Sequence, residues 1–191
     1  MAARKRSSGG KRTPRVRDED RGYEDLLQRV RAMQNKSIEV GIFESKGSEL
    51  YPDATFLGKL AGSAVTVLDV AIWNEFGTDH IPERSFIRAW FDENAAKTKE
   101  AVRLMLIAVK QGKYTPEQAL ELIAQRFVAE IQKRMAEGIP PPNAPATIEM
   151  KGSDKPLIDT GQLRSSITYV VKDTRTGAVV TYDPNPEGSG D

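Results

Sequence analysis

The sequence predicts an α+β domain, with a small antiparallel sheet packed against two long helices and a disordered or extended basic arm at the N-terminus. Stretches 82–112 and 115–138 carry apolar residues three and four positions apart, the spacing of amphipathic helices. Stretches 37–43 and 167–182 alternate polar and apolar residues, which is typical of half-buried strands. The length of 191 residues suits one domain with tails, assigned to 22–183.

The first half of the domain predicts a short helix, a strand, a loop and a second helix. Helical spacing without Gly or Pro predicts the first helix over 23–33, and the strand 37–43 turns Ile38, Val40 and Ile42 towards a core. Several Gly and Pro residues make 44–63 a loop insertion. A helix over 67–76 follows, and the glycine at its end indicates a C-terminal cap.

The two long helices have recognisable boundaries. The first is expected to begin near Pro82 and to end at Gly112. Thr115, Pro116 and Gln118 form a capping box with proline at the first helical position, so a second long helix begins there. Its buried stripe is predicted to end before a glycine that needs positive φ, Gly138.

The C-terminal third combines a proline-rich strap with a hairpin. Residues 139–156 are predicted to form an extended strap, because prolines cannot donate the hydrogen bonds of a helix or a central strand. The strap residues expected to contact a neighbouring subunit are Pro141, Pro142, Asn143 and Pro145. One helical turn after Asp159 then leads into a hairpin whose turn is 173–177, and 184–191 form a Pro/Gly-rich tail.

Composition excludes several classes of function. The chain has no cysteine, so disulfides, thiolate nucleophiles and Cys-ligated zinc are excluded. It has no run of about 18 apolar residues and no signal-peptide core, so membrane insertion and secretion are not expected. These observations are compatible with synthesis in the cytosol.

The net charge of +1 conceals a basic arm, residues 1–21, joined to an acidic body. Residues 1–17 hold seven cations and no acid, which leaves 21 basic against 27 acidic residues in the rest of the chain. The arm can neutralise nucleic-acid phosphates, bind an acidic partner surface, or serve as a solvated tail that aids solubility. Its cations are Arg4, Lys5, Arg6, Lys11, Arg12, Arg15 and Arg17.

The sharpest enzymatic hypothesis concerns Asp159, Thr160 and Gly161, which follow two apolar residues as the catalytic aspartate of an aspartic protease does. A half-length protease of that kind builds its site from two chains. Against this reading, only about 30 residues follow the motif and long helices precede it, whereas that fold is almost wholly β. The alternative is that the Asp159 carboxylate caps the next helical turn.

No other pattern indicates chemistry. His80 is the only histidine and is interpreted as a turn or interface residue, while Asp92 and Glu93 are interpreted as a solvated helix face. No phosphate-binding glycine loop is present, and no metal or cofactor site is predicted. Aromatic residues around one turn are expected to form core: Trp73, Phe76, Phe86, Trp90 and Phe91.

Three stretches together carry a resemblance to a known family. The first runs from Ala71 to Ile87 and contains Glu75-Phe76-Gly77 and then Pro82-x-Arg84-x-Phe86; the second is 141–148; the third is 156–167, with Asp159-Thr160-Gly161-x-Leu163. In this order they resemble the neck or tail-completion proteins of long-tailed bacteriophages, also described as virion morphogenesis or minor tail proteins. The resemblance covers about half of the chain and excludes the arm, the 44–63 insertion and the tail.

The first stretch also has a physical reading of its own. Phe76 is expected to cap its helix hydrophobically, and Gly77 to adopt a positive φ. Pro82 is expected to fix the entry of the next helix, and Arg84 to bond either backbone carbonyls or Glu75. All of these are structural roles.

The resemblance implies a structural, non-enzymatic virion protein of the head-to-tail junction. It implies a neck or collar ring of six or twelve copies that contacts the head-tail connector and the tail tube or tail terminator, with DNA passing through the bore. The basic arm is then expected to hold a neighbouring ring or to contact phage DNA without sequence preference. Two alternatives stay open at this point: a homodimeric protease using Asp159, and a stand-alone nucleic-acid-binding module using the arm.

Overall fold

The computed structural model describes residues 22–51, 64–151, 156–157 and 161–182. The basic arm, Asp159, Thr160 and the tail 184–191 lie outside this part. The predicted α+β class is confirmed, with a three-stranded antiparallel sheet packed against two long helices. The elements in chain order are α1 (Tyr23–Met33), β1 (Lys36–Gly41), α2 (Glu44–Gly47), α3 (Val67–Phe76), α4 (Arg88–Lys110), α5 (Pro116–Glu137), α6 (Pro145–Lys151), α7 (Gln162–Ser165), β2 (Thr168–Asp173) and β3 (Val179–Tyr182).

The sheet has the strand order β1-β2-β3, with every neighbouring pair antiparallel. In the β1 and β2 pair, Ile38 lies opposite Val171 and Val40 opposite Tyr169, so the apolar sets of both strands share one face. A register shift between Val171 and Lys172 marks a bulge where β2 meets β3. The hairpin predicted from the alternation of 167–182 is therefore confirmed.

Helix α5 supplies the centre of the core, because it lies against the sheet and against α4. The capping box predicted at its start is present: Thr115 Oγ1 accepts from the Gln118 amide, and Gln118 Oε1 accepts from the Thr115 amide. The rings of Trp90 and Phe91 pack on Phe127 with centroid distances of 5.4 and 6.0 Å. The buried stripe of α5 matches the prediction: Ala119, Leu120, Ile123, Phe127, Ile131 and Met135.

Three predicted segments differ from the structure. Helix α4 begins at Arg88, six residues after Pro82, because the preceding backbone amides bond to a side chain of α3 rather than to helical carbonyls. The strap is extended only in its first part, since α6 starts at Pro145, where a proline suits the first helical turn. The 44–63 insertion contains one helical turn, α2. Its residue Leu50 forms an isolated antiparallel β-bridge with Thr66, which follows the insertion in the chain.

An ion pair ties β1 to the end of β2. Lys36 Nζ lies 2.9 Å from Asp173 Oδ2, and Asp173 Oδ1 accepts from the amides of Arg175 and Thr176 in the hairpin turn. These bonds, that of Lys36 first, lower the pKa of Asp173 from 3.8 to about 2. Asp173 therefore holds both the strand pair and the turn in its charged form.

Stability is expected to fall in acid partly through this carboxylate. Because the folded pKa lies below the unfolded value, the contribution is complete above pH 3.8 and is lost as the pH falls through about 2. Urea midpoints of the wild type and of Asp173→Asn should therefore converge as the pH is lowered through that window. Asp92→Asn, which removes one exposed negative charge from α4, is the matched control. A difference between wild type and Asp173→Asn that stays constant with pH would contradict the assignment.

Candidate functional site

Glu75 is a buried carboxylate that caps a helix other than its own. It lies on α3 with only 7% of its surface exposed. Its Oε2 accepts from the amides of Phe86 (2.8 Å) and Ile87 (3.1 Å), and its Oε1 accepts from the Arg88 amide (2.9 Å) and from Ser85 Oγ (2.7 Å). Three amides at the start of α4 have no helical carbonyl to bond, and this one side chain accepts from all of them. Its carboxylate also complements the dipole of α4.

The turn between α3 and this site reverses the chain tightly. Gly77 has φ +74, and a Cβ at that position would lie 3.0 Å from the Glu83 amide nitrogen, so glycine is required there. The Thr78 amide donates to Ile81 O at 2.7 Å, and Thr78 Oγ1 accepts from the amides of His80 and Ile81. His80 lies exposed in this turn, which agrees with its interpretation as a turn residue.

Arg84 joins the turn to the proline-rich strap. It is 6% exposed, and burial lowers the pKa of its guanidinium. Its Nε donates to Pro141 O at 2.8 Å and its Nη2 to Pro142 O at 3.2 Å. The bond between Pro140 and Pro141 is cis. Since prolines have no N–H, carbonyls are the backbone polar groups that they offer, and a donor-only guanidinium suits them.

The predictions for the first stretch are partly right. The prediction for Gly77 is confirmed, and of the two roles expected for Arg84 the structure has the carbonyl contact rather than the Glu75 contact. The prediction for Phe76 is wrong: its ring is 59% exposed, and the Arg88 guanidinium lies over it at 4.9 Å from the centroid. Pro82 is exposed in the loop before α4, while Phe86 is fully buried, as expected for core.

The third stretch packs near the first. Leu163 of α7 is buried in the same core, and α7 contacts α3. Gln162 Nε2 donates to Leu50 O at 3.3 Å, and Gln132 Nε2 of α5 donates to Arg164 O at 3.2 Å. Gly161 precedes α7 with φ +82. The capping role predicted for Asp159 stays a prediction, because that residue lies outside the described part.

The arrangement is suited to holding segments together. Both oxygens of Glu75 accept from donors between Ser85 and Arg88, and both side-chain bonds of Arg84 go to the strap. In the described ranges, no group of three or more His, Asp or Glu residues could hold a metal ion. We call Glu75, Arg84 and the segments that they bond the 75/84 joint.

Sequence reasoning missed the part that Glu75 plays, although a signal was present. Val67, Ala71 and Glu75 lie four residues apart, so the carboxylate falls on the helix face that is otherwise apolar and buried. A charged residue on such a face needs partners. Its partners lie ten to thirteen residues away along the chain, beyond the reach of a local capping rule.

Comparisons with known proteins give no match, whether to a family model, to a curated protein or to a solved structure. Among the helices of the described ranges, none is both long and apolar enough to cross a membrane.

Proposed function

We propose that this chain is a non-enzymatic structural protein of the head-to-tail junction of a long-tailed bacteriophage. Copies would form a neck or collar ring that joins the head connector to the tail tube or tail terminator. The resemblance of the three stretches supports this role. It is supported further by the 75/84 joint, in which Arg84 of the first stretch donates to the carbonyls of Pro141 and Pro142 and so connects the first resembling stretch to the second.

The observation that carries the proposal is the edge strand β3. Within the described residues β3 pairs with β2 on one side and forms the edge of the sheet on the other. It contains no charged residue, and Val179 and Val180 are 57% and 42% exposed. Exposed apolar edge strands invite pairing with another chain, and proteins that avoid it use charges, prolines, bulges or short strands; β3 is short and its pairing with β2 contains the bulge, but it carries no charge or proline. An edge of this kind favours completion by a neighbouring subunit.

The opposite edge of the described sheet, β1, carries charged residues. Strand β1 carries Lys36 and Glu39, and these pair with Asp173 and Lys172 of β2. Charges on an edge strand discourage pairing with another chain. The asymmetry between the two edges is compatible with a head-to-tail ring, in which each subunit offers two different faces.

The charge distribution fits a ring around DNA. The body outside residues 1–17 has 27 acidic against 21 basic residues, so it would repel DNA that passes through the bore. The basic arm would hold a neighbouring ring or contact DNA. A ring of six or twelve copies within the virion is part of the same proposal. The protease and nucleic-acid-binding alternatives depend on Asp159 and on the arm, which lie outside the described residues.

Val180→Lys tests the role of β3. A lysine on the exposed edge should block pairing between subunits while changing the free energy of unfolding by about 0.5 kcal/mol or less. Electron microscopy of the purified variant should show no rings, whereas Thr174→Lys, in the exposed hairpin turn, should assemble as the wild type does. Rings of normal size and number from Val180→Lys would count against the proposed interface.

A further inference from the structure

Helix α3 carries an apolar stripe on the side away from the core, partly covered by α2 at its N-terminal end. The three most exposed residues of α3 are all apolar: Leu68 (41%), Ile72 (46%) and Phe76 (59%). They are spaced by four residues, so they lie one above the other along one side of the helix. Exposed apolar residues in isolation are ordinary, but a helix whose exposed positions are all apolar indicates a contact surface.

The stripe cannot be buried by rotating the helix. Val67, Val70 and Ala71 occupy the core on the other side of α3. A capping box fixes the start of the helix, where Thr66 and Asp69 bond reciprocally, and the buried Glu75 fixes its end. The orientation of α3 is therefore set at both ends, and the stripe faces away from the core that the described residues form.

We propose that α3 packs antiparallel against α3 of a second copy of this chain, about a two-fold axis that passes beside Ile72. The stripe is symmetric about that residue, with one large apolar side chain about 6 Å away along the helix on either side. An antiparallel arrangement places Leu68 against Phe76 of the second copy, and Ile72 against its own equivalent. Such an isologous contact uses one surface twice and needs no second partner site.

Charge complementarity favours the second copy as the occupant. Asp69 lies beside the N-terminal end of the stripe, and its hydrogen bonds with Thr66 lower its pKa, so it is ionised at neutral pH. Arg88 lies over Phe76 at the C-terminal end and also pairs with Glu83 of its own chain at the surface. Antiparallel packing brings Asp69 of each copy towards Arg88 of the other, and the two helix dipoles oppose each other favourably. A parallel arrangement would place like charges together.

The inference does not depend on the proposed function. It rests on α3, whereas the proposed ring contact uses β3, so the two contacts occupy different elements. The tests below use purified protein and measure the self-association of soluble copies. Position-72 variants that associate as the wild type does would leave the ring proposal standing, and loss of rings in Val180→Lys would leave this inference standing.

A charge exchange at position 72 tests the two-fold directly. Ile72→Lys and Ile72→Glu should each weaken self-association by about 100-fold, because like charges then meet at the axis. An equimolar mixture should restore dimers, seen by sedimentation velocity and native mass spectrometry. Leu122→Lys and Leu122→Glu, at a 41% exposed site on α5, are the matched controls and should associate as the wild type does. Circular dichroism would check that each variant is folded.

The absence of cysteine from the chain permits a second test. Ile72→Cys places two thiols at the axis, and antiparallel helices packed 8–10 Å apart bring facing Cα atoms within disulfide range. Mild oxidation should therefore yield a covalent dimer, whereas Leu122→Cys should stay a single chain. A monomeric wild type at tens of micromolar would overturn the inference. Failure of the mixed charge variants to restore dimers would also overturn it, and would indicate that the stripe meets a different surface.

Discussion

Glu75→Ala is expected to lower the free energy of unfolding by about 3–5 kcal/mol. The substitution removes four hydrogen bonds at once and leaves the amides of Phe86, Ile87 and Arg88 without their acceptor. Phe86 is fully buried, so water cannot easily take the place of the carboxylate at that amide. The start of α4 should therefore lose its order along with its cap.

The measurement is urea unfolding of the wild type and of three variants. Glu83→Ala is the matched control, because Glu83 is exposed and pairs with Arg88 only at the surface, so the cost should be about 1 kcal/mol or less. Glu75→Gln keeps the shape of the side chain but turns an NH₂ group towards donors, so its cost should be intermediate. Equal costs for Glu75→Ala and Glu83→Ala would contradict the capping role.

Arg84→Met is expected to cost about 2–4 kcal/mol, since it leaves the carbonyls of Pro141 and Pro142 without their donors in a buried site. Methionine keeps much of the length and apolar stem of arginine, so the loss reports mainly on hydrogen bonds. Arg84→Lys should recover only part of the stability, because an ammonium group does not reproduce the planar fork that reaches two carbonyls.

Arg88→Met is the control that separates the loss of the hydrogen bonds to the strap from the loss of one positive charge. Arg88 is half exposed and stacks on Phe76 at the surface, so its replacement should cost about 1 kcal/mol or less. The urea midpoint should be highest for Arg88→Met, intermediate for Arg84→Lys and lowest for Arg84→Met. If Arg84→Met were as stable as Arg88→Met, the strap would be held by other contacts.

The elements that local rules specify could be predicted from the sequence. The capping box at Thr115 and the apolar stripe of α5 lie within one helix, and the β1 and β2 alternation lies within single strands, so each pattern is complete in a short window. The glycines at 77 and 138 were recognisable for the same reason, since positive φ is a property of one residue.

Features that depend on distant partners could not be predicted. The start of α4 differs from the prediction because its cap, Glu75, belongs to another helix and Ile87 provides no side-chain cap. Phe76 is exposed because it lies on the α3 face of Leu68 and Ile72, opposite the buried Val67, Val70 and Ala71. The contact from Arg84 to the strap joins positions 57 and 58 residues apart. The family resemblance, and the role of Asp159, stay predictions.

Electron microscopy of virions assembled without this protein is the most direct test of a role in the head-to-tail junction. Such preparations should contain filled heads and complete tails that are separate, and adding the purified protein should join them. Particles that lack the protein but still carry firmly attached tails would contradict the account.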